Sequence, residues 1–179
     1  MKRLLLMITL LIGLVSFSSN KITGPRYRLE FSQGAISGRE NKNFRSFEFF
    51  SSSISVLPEW EIKINEKFDI TFGPKMTLNV ALNFSKFFSP TTRPSLILGG
   101  EVDLNYKIKK DIKVYAGIEA GAGIGFQIFP DKNDTHFEIP EFTSISKISF
   151  GVKIKDKFNI SLYTGDIKGM IGIEAGYTF

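Results

Sequence analysis

The 179-residue chain contains no cysteine, which excludes both disulfide staples and the attachment of lipid to an N-terminal cysteine. It has a single histidine, His136, so a multi-histidine metal site is excluded and no metal or other cofactor is expected. Past the first 15 residues no stretch approaches the roughly 20 consecutive apolar residues of a transmembrane helix. Charge of one sign is scarce as well. Without Lys2 and Arg3 the chain carries 21 basic and 18 acidic residues, a net charge of +3 spread along its length. With no basic block, a nucleic-acid partner is not expected.

What is present begins with an address. Met1-Lys2-Arg3 is a short basic region, Leu4 to Val15 an apolar run of 12 residues, and Ser16-Phe17-Ser18 offers small residues where a signal peptidase reads. This pattern predicts a secretory signal peptide over 1–18, cleaved after Ser18, and one mature domain over 19–179. An uncleaved N-terminal anchor is the alternative.

The most informative stretch is Ser95 to Ile128. Its even-numbered residues include Leu96, Leu98, Val102, Leu104, Tyr106, Ile108, Ile112, Val114, Ile118, Ile124 and Phe126, and none is charged. The odd positions include Glu101, Asp103, Asn105, Lys107, Lys113 and Glu119. A side-chain period of two means strands with one apolar and one polar face. Two such arms, far longer than the usual strand of about 5 to 6 residues and joined by a charged turn at Lys109–Asp111, predict a membrane-spanning hairpin.

The same alternation recurs along the chain. Strand one is expected over 25–36, where Tyr27, Leu29 and Phe31 alternate with Arg26, Arg28, Glu30 and Ser32. Strand two is expected over 54–64 and strand three over 68–84. Strands four and five form the central hairpin. Strands six, seven and eight follow over 143–154, from Phe158, and over 168–179. The segments 37–53, 85–94 and 129–141 read as loops, and 164–167 as a tight turn. A thrice-repeated pattern marks the short turns: Lys63-Ile64-(Asn-Glu-Lys)-Phe68, Lys107-Ile108-(Lys-Lys-Asp)-Ile112 and Lys153-Ile154-(Lys-Asp-Lys)-Phe158, spaced 44 and then 46 residues apart. The pentapeptide Gly-Ile-Glu-Ala-Gly also occurs twice, at 117–121 and 172–176.

The expected fold class is therefore all-β: an eight-stranded antiparallel transmembrane β-barrel, with a periplasmic β-sandwich as the competing reading. Short turns at one end and mostly longer loops at the other are a feature of outer-membrane barrels. An even strand count puts both mature termini on the periplasmic side. The chain ends Gly176-Tyr177-Thr178-Phe179, a terminal phenylalanine with an aromatic two residues before it. Tyr177 and Phe179 resemble the C-terminal signal read by the barrel-assembly machinery. With the signal peptide and the eight strands, the whole mature chain resembles the small outer-membrane barrels of the OmpA, OmpX and opacity type. That resemblance implies a Gram-negative outer membrane, with its lipid and lipopolysaccharide as surroundings. It is architectural and selects no activity.

Strand parity puts Glu59, Glu61, Asp69, Glu101, Asp103, Glu119 and Glu174 in the lumen with Lys63, Lys75, Lys107, Lys113, Lys147, Lys153 and Lys168. An eight-stranded barrel is just wide enough for side chains to fill, so these charges must pair. Pairing Ile108 with Ile112 sets Glu101 against Glu119, two carboxylates that repel. Lys75 and Lys147, each eight residues from its own turn, sit at a similar height. A layer of Lys75, Glu101, Glu119 and Lys147 is predicted, acting as a gate or a structural clasp. The same register sets Pro58 opposite Pro74, where two missing N–H groups predict a distortion facing lipid. Aromatic girdles are expected from Phe68, Tyr106, Phe158, Tyr177 and Phe179 near the turns and from Phe31, Phe84 and Phe126 at the other end.

Three functions remain open. The first is a non-enzymatic envelope or surface barrel with a largely plugged lumen, in which Phe47, Phe49, Phe50, Phe87 and Phe88 are the candidate loop contacts for a host or environmental ligand. The second is a narrow pore or small-molecule transporter filtered by the lumen charges. The third is a lipid A-modifying enzyme at the outer rim, for which His136, Asp134, Glu138 and Ser144 are the available residues and match no defensible spacing. Gly121 to Gly125 superficially looks like a phosphate loop. It lies inside a strand with no helix after it, so no catalytic or cofactor-binding residue is assigned.

Overall fold

A computed structural model describes residues 22–36, 49–83, 91–130, 135–137 and 140–179. The expected signal peptide, Phe47, Phe84, Phe87, Phe88, Asp134 and Glu138 lie outside them. Ten strands are present: β1 (Ile22–Ile36), β2 (Phe49–Lys63), β3 (Phe68–Asn83), β4 (Thr91–Lys109), β5 (Ile112–Gly125), β6 (Ile128–Pro130), β7 (Thr135–Phe137), β8 (Glu141–Ile154), β9 (Phe158–Gly165) and β10 (Ile171–Thr178).

Eight of them close into a ring. Each of β1 to β4 pairs antiparallel with the next, the ladder continues from β5 to β8, β9 and β10, and β10 pairs with β1. The chain end completes this seam: Phe179 N donates to Tyr27 O at 3.0 Å and Tyr27 N to Phe179 O at 3.3 Å. The remaining two strands, β6 and β7, form a small hairpin on β4 within the segment read from sequence as a loop. Three-residue strands are too short to carry a periodic signal.

The faces are inverted relative to a water-soluble protein. Among the described residues 32 large apolar side chains are exposed and six apolar ones are buried, while 26 polar or charged residues are buried. Alternation produces this directly. Odd residues point inward on β2 to β5, β8 and β9, and even residues on β1 and β10. At about 3.3 Å per residue and a tilt near 40°, a 14-residue strand rises roughly 35 Å, enough to cross an apolar band of about 25 Å. Four strands start earlier than the apolar pattern suggests, among them β2 at Phe49 rather than Ile54 and β4 at Thr91 rather than Ser95. Phe49 and Phe50 are thus strand residues and not loop residues, and Phe50 faces outward.

Two strands are short, and the second of them starts later than expected, at Ile171 rather than Lys168. β9 and β10 have eight residues each and fall short of the rim that β8 reaches. Lys168 therefore lies in the connection between them, not on the last strand.

Local chemistry sets the short turns. Asn65 Oδ1 accepts from the amides of Lys67 and Phe68, both at 2.8 Å, which fixes the first. In the third, Lys155 and Asp156 both have φ of 53°, and Lys157 N closes the turn on Ile154 O at 3.1 Å. Between them, the β4–β5 register slips after Lys107↔Lys113, so Lys109 and not Ile108 faces Ile112. The ladder between β2 and β3 is interrupted from Val56↔Met76 to Trp60↔Phe72, the level at which Pro58 and Pro74 supply no N–H. Aromatic pairs gather at the turn end, Phe68 with Tyr106 at 4.8 Å between ring centroids and Phe158 with Tyr177 at 4.9 Å.

Candidate functional site: the charged lumen

The interior is built from one inward residue per strand at each level. Glu101 of β4 faces Glu119 of β5, which in turn faces Lys147 of β8. Lys75 of β3 stands one inward position toward the outer end, opposite Gly99, and reaches back to the same level. The four residues come together. Lys75 Nζ bonds to Glu101 and lies 3.0 Å from Glu119; Lys147 Nζ lies 3.2 Å from Glu101 and 2.9 Å from Glu119. Two ammonium groups thus separate two carboxylates that the β4–β5 ladder forces side by side.

The cluster is larger than that layer. Glu174 of β10 meets Lys147 at 2.6 Å and Lys75 at 3.8 Å, and Glu30 of β1 bonds to Lys75. Lys168 adds a third ammonium, 3.1 Å from Glu119 and 3.3 Å from Glu174. Arg28 then links this cluster to a second one nearer the turns. Its guanidinium contacts Glu30 at 3.0 Å, Glu59 at 3.4 Å and Asp103 at 2.8 Å, and bonds to Glu101. In the second cluster Lys153 meets Asp103 at 2.8 Å, Arg26 meets Glu59 at 2.8 Å, and Lys113 meets Asp69 at 2.8 Å. Tyrosine rings flank two of the cations: Lys153 lies 4.8 Å from the centre of Tyr115 and Lys147 lies 5.8 Å from that of Tyr163.

Glu30, Glu101 and Glu174 converge closely enough to hold a cation between them. Lys75 Nζ lies against all three, so an ammonium already supplies that charge. A cavity of about 10 Å³ opens at the turn end among Arg26, Arg28, Glu59, Asp69, Asn105 and Asn159, room for about one water.

At the outer end the β9–β10 connection folds inward over the cluster. Tyr163 Oη donates to Lys168 O at 2.9 Å, Ser51 Oγ to Ile167 O at 3.2 Å, and Lys168 Nζ to Ser55 Oγ at 3.4 Å. Asp166 ties the connection to β8 by accepting from Ser146 N at 3.0 Å. Two glycines make the fold-over fit. Gly169 takes φ of 127°, and Gly34 leaves the space where a Cβ would lie 2.0 Å from Lys168 O.

The inversion decides the class: a closed antiparallel ring, apolar outside and ionic inside, has only one solvent to match its exterior. The chain is an eight-stranded transmembrane β-barrel. No protein-family model matches it, and no curated protein does. Among solved structures it is similar to the attachment invasion locus protein Ail of Yersinia pestis, at 10% identity and a TM-score of 0.43 over 90% of this chain and all of that one. It is similar also to the N-terminal β-barrel domain of OprF from Pseudomonas aeruginosa, at 10% identity and a TM-score of 0.41 over 88% of this chain and 100% of that one. Ail is also known in complex with the heparin analogue sucrose octasulfate, a structure 11% identical, with a TM-score of 0.40 over 86% of this chain and 97% of that one.

Sequence reasoning missed three members of the lumen network: Arg26 on Glu59, and Arg28 and Glu30. Arg28 and Glu30 are both about 1% exposed and stand at its centre. The signal was present, since strand one alternates cleanly, but its polar face runs on even numbers while every strand to β9 uses odd ones. Lys63, in contrast, is exposed at the turn end of β2 and ion-pairs with no other described residue. Of the residues considered for an outer-rim enzyme, Ser144 points outward on β8 and His136 lies in β7.

Proposed function

We propose that this protein is an integral outer-membrane β-barrel with a non-enzymatic role, structural in the envelope or in contact at the cell surface, and that its lumen is closed by its own charges. The observation that carries this reading is the mid-height cluster. Lys75, Lys147 and Lys168 are locked among four carboxylates, each side chain about 2% exposed or less. Lys75 has four carboxylates around it, Lys147 three and Lys168 two, and together they act as a clasp, because moving any of them to open a path leaves buried charges unpaired. No reacting group is required of such an interior. Residues 1–18 serve as the signal peptide and 19–179 as the barrel domain, with the short turns and both mature termini in the periplasm. Tyr177 and Phe179 serve as the signal for the barrel-assembly machinery. The partners are outer-membrane lipid and lipopolysaccharide, and the outer loops bearing Phe47, Phe87 and Phe88 are the surface for a host or environmental ligand.

Conductance of the refolded chain in a planar bilayer tests the closed lumen. A folded, heat-modifiable barrel that stays silent under applied voltage is the expected result. Steady conductance whose ion selectivity changes with Glu101→Gln or Glu119→Gln would replace the clasp with a charged filter and make the protein a narrow pore.

A further inference from the structure

The repeated turn motif has a part that strand pairing does not use. Each copy places lysines at the turn beside an outward isoleucine. Lys63 and Lys67 flank the first turn, Lys109 and Lys110 lie in the second, and Lys155 and Lys157 in the third, all six exposed. Ile64, Ile108 and Ile154 beside them are 47%, 54% and 44% exposed. Acidic residues do not balance this collar. The exposed acids at these turns are Glu66 and Asp111, and Asp156 is already held by Lys113 at 2.7 Å. None of the six lysines is ion-paired to another described residue, whereas Lys113 and Lys153, each one residue further along the strand from its turn, both are.

Its position says what the collar meets. The ring begins where the apolar exterior ends, directly beyond the aromatic pairs Phe68–Tyr106 and Phe158–Tyr177, which belong at the headgroup level. An exposed lysine at that boundary is long enough to reach the phosphate plane with its ammonium. The isoleucines hold each turn down at that boundary instead of letting it rise into water. Six unpaired cations around one rim, with apolar anchors between them, fit a layer of phosphates bearing net negative charge.

We propose that this collar binds the headgroups of anionic phospholipids in the leaflet that surrounds the short turns, gathering them around the barrel in preference to zwitterionic lipid. The leaflet is the periplasmic one under the orientation proposed above, but the binding itself needs only a barrel that crosses the bilayer, so it does not depend on whether the lumen conducts. Its chemistry is ammonium to phosphodiester, without a specific pocket, and it is therefore weakened by salt.

Trp60 provides the probe. It is the chain's one tryptophan, it lies on the outward face of β2 four residues from Ile64, and it stacks on Phe72 with centroids 6.3 Å apart. The refolded chain is placed in vesicles of phosphatidylcholine with a minority of phosphatidylglycerol, with bromine on the acyl chains of one lipid or the other. At about 10 mM salt, where the Debye length is near 30 Å, brominated phosphatidylglycerol is expected to quench Trp60 at least about twofold more than its mole fraction dictates. The excess should vanish at about 1 M salt, where that length is near 3 Å. It should also vanish when all six lysines are changed to glutamine, in a variant whose heat-modifiable mobility shows that it folds. Quenching that follows mole fraction in the unaltered chain at low salt overturns the proposal, and this arm needs no variant. An excess that survives both salt and substitution assigns the enrichment to the apolar wall and overturns it as well. An excess abolished by inorganic phosphate at matched ionic strength assigns the collar to free phosphate instead of lipid.

Discussion

Replacing Lys75 by methionine is expected to lower the unfolding free energy by about 3–5 kcal/mol, read from the urea midpoint of the refolded barrel in vesicles. Methionine nearly matches the stem in volume, so packing changes little and the loss isolates the charge. Lys75 bonds to Glu30 and Glu101 and lies 3.0 Å from Glu119 and 3.8 Å from Glu174. Removing it leaves four carboxylates to share Lys147, Lys168 and Arg28, two of them directly opposed on neighbouring strands. Lys63→Met is the control: Lys63 is exposed and outside the cluster, and a change within about 0.5 kcal/mol is expected. Equal effects at the two sites would mean that the lumen pairs contribute no more than surface charges.

The second large effect belongs to the inward connection. Gly34→Ala places a Cβ where Lys168 O would be 2.0 Å away and Tyr163 Oη 2.6 Å away. Neither can yield cheaply, since the two are hydrogen-bonded to each other at 2.9 Å. The connection must therefore lift, and it takes Lys168 out of reach of Glu119 and Glu174. Overpacking and lost pairing together are expected to cost about 3 kcal/mol. The distinguishing readout is chemical. Lys168, about 1% exposed in the native barrel, should become reactive toward a water-soluble amine-directed ester, as followed by peptide mass spectrometry. Unchanged protection of Lys168 together with an unchanged midpoint would show that the connection is not seated against β1.

Much of this architecture is legible in the sequence because a barrel wall obeys one rule along its whole length. A period of two with charge confined to one parity specifies strand, register and face together. That is why the facing of Glu101 and Glu119 follows from a turn and a count, and why Lys75 and Lys147 fall beside them by sequence alone. Where the rule stops, the reading stops. Strand ends past the apolar band have no lipid to select a face, so the Ser51–Ser53 segment of β2 and the Thr91–Pro94 segment of β4 read as loop although they continue the ladder. Lys168 fits the parity of the last strand and yet belongs to a connection that turns inward, because parity does not say where a strand ends. Arg28 and Glu30 were overlooked for a different reason: their strand pairs with the last one across the seam and carries its inward face on the opposite parity. On the polar face of their own strand both fall inward.

The central claim is that the lumen charges act as one coupled network. A double-mutant cycle on Lys75 and Glu101 tests it most directly: unfolding free energies of the unaltered barrel, Lys75→Met, Glu101→Gln and the pair together. The account predicts that the double variant loses less than the two singles combined by about 2 kcal/mol or more, because removing one partner already frees the other of its role. Costs that add within about 0.5 kcal/mol would contradict it, and the lumen would then be a set of independent polar side chains inside a barrel held by its wall alone.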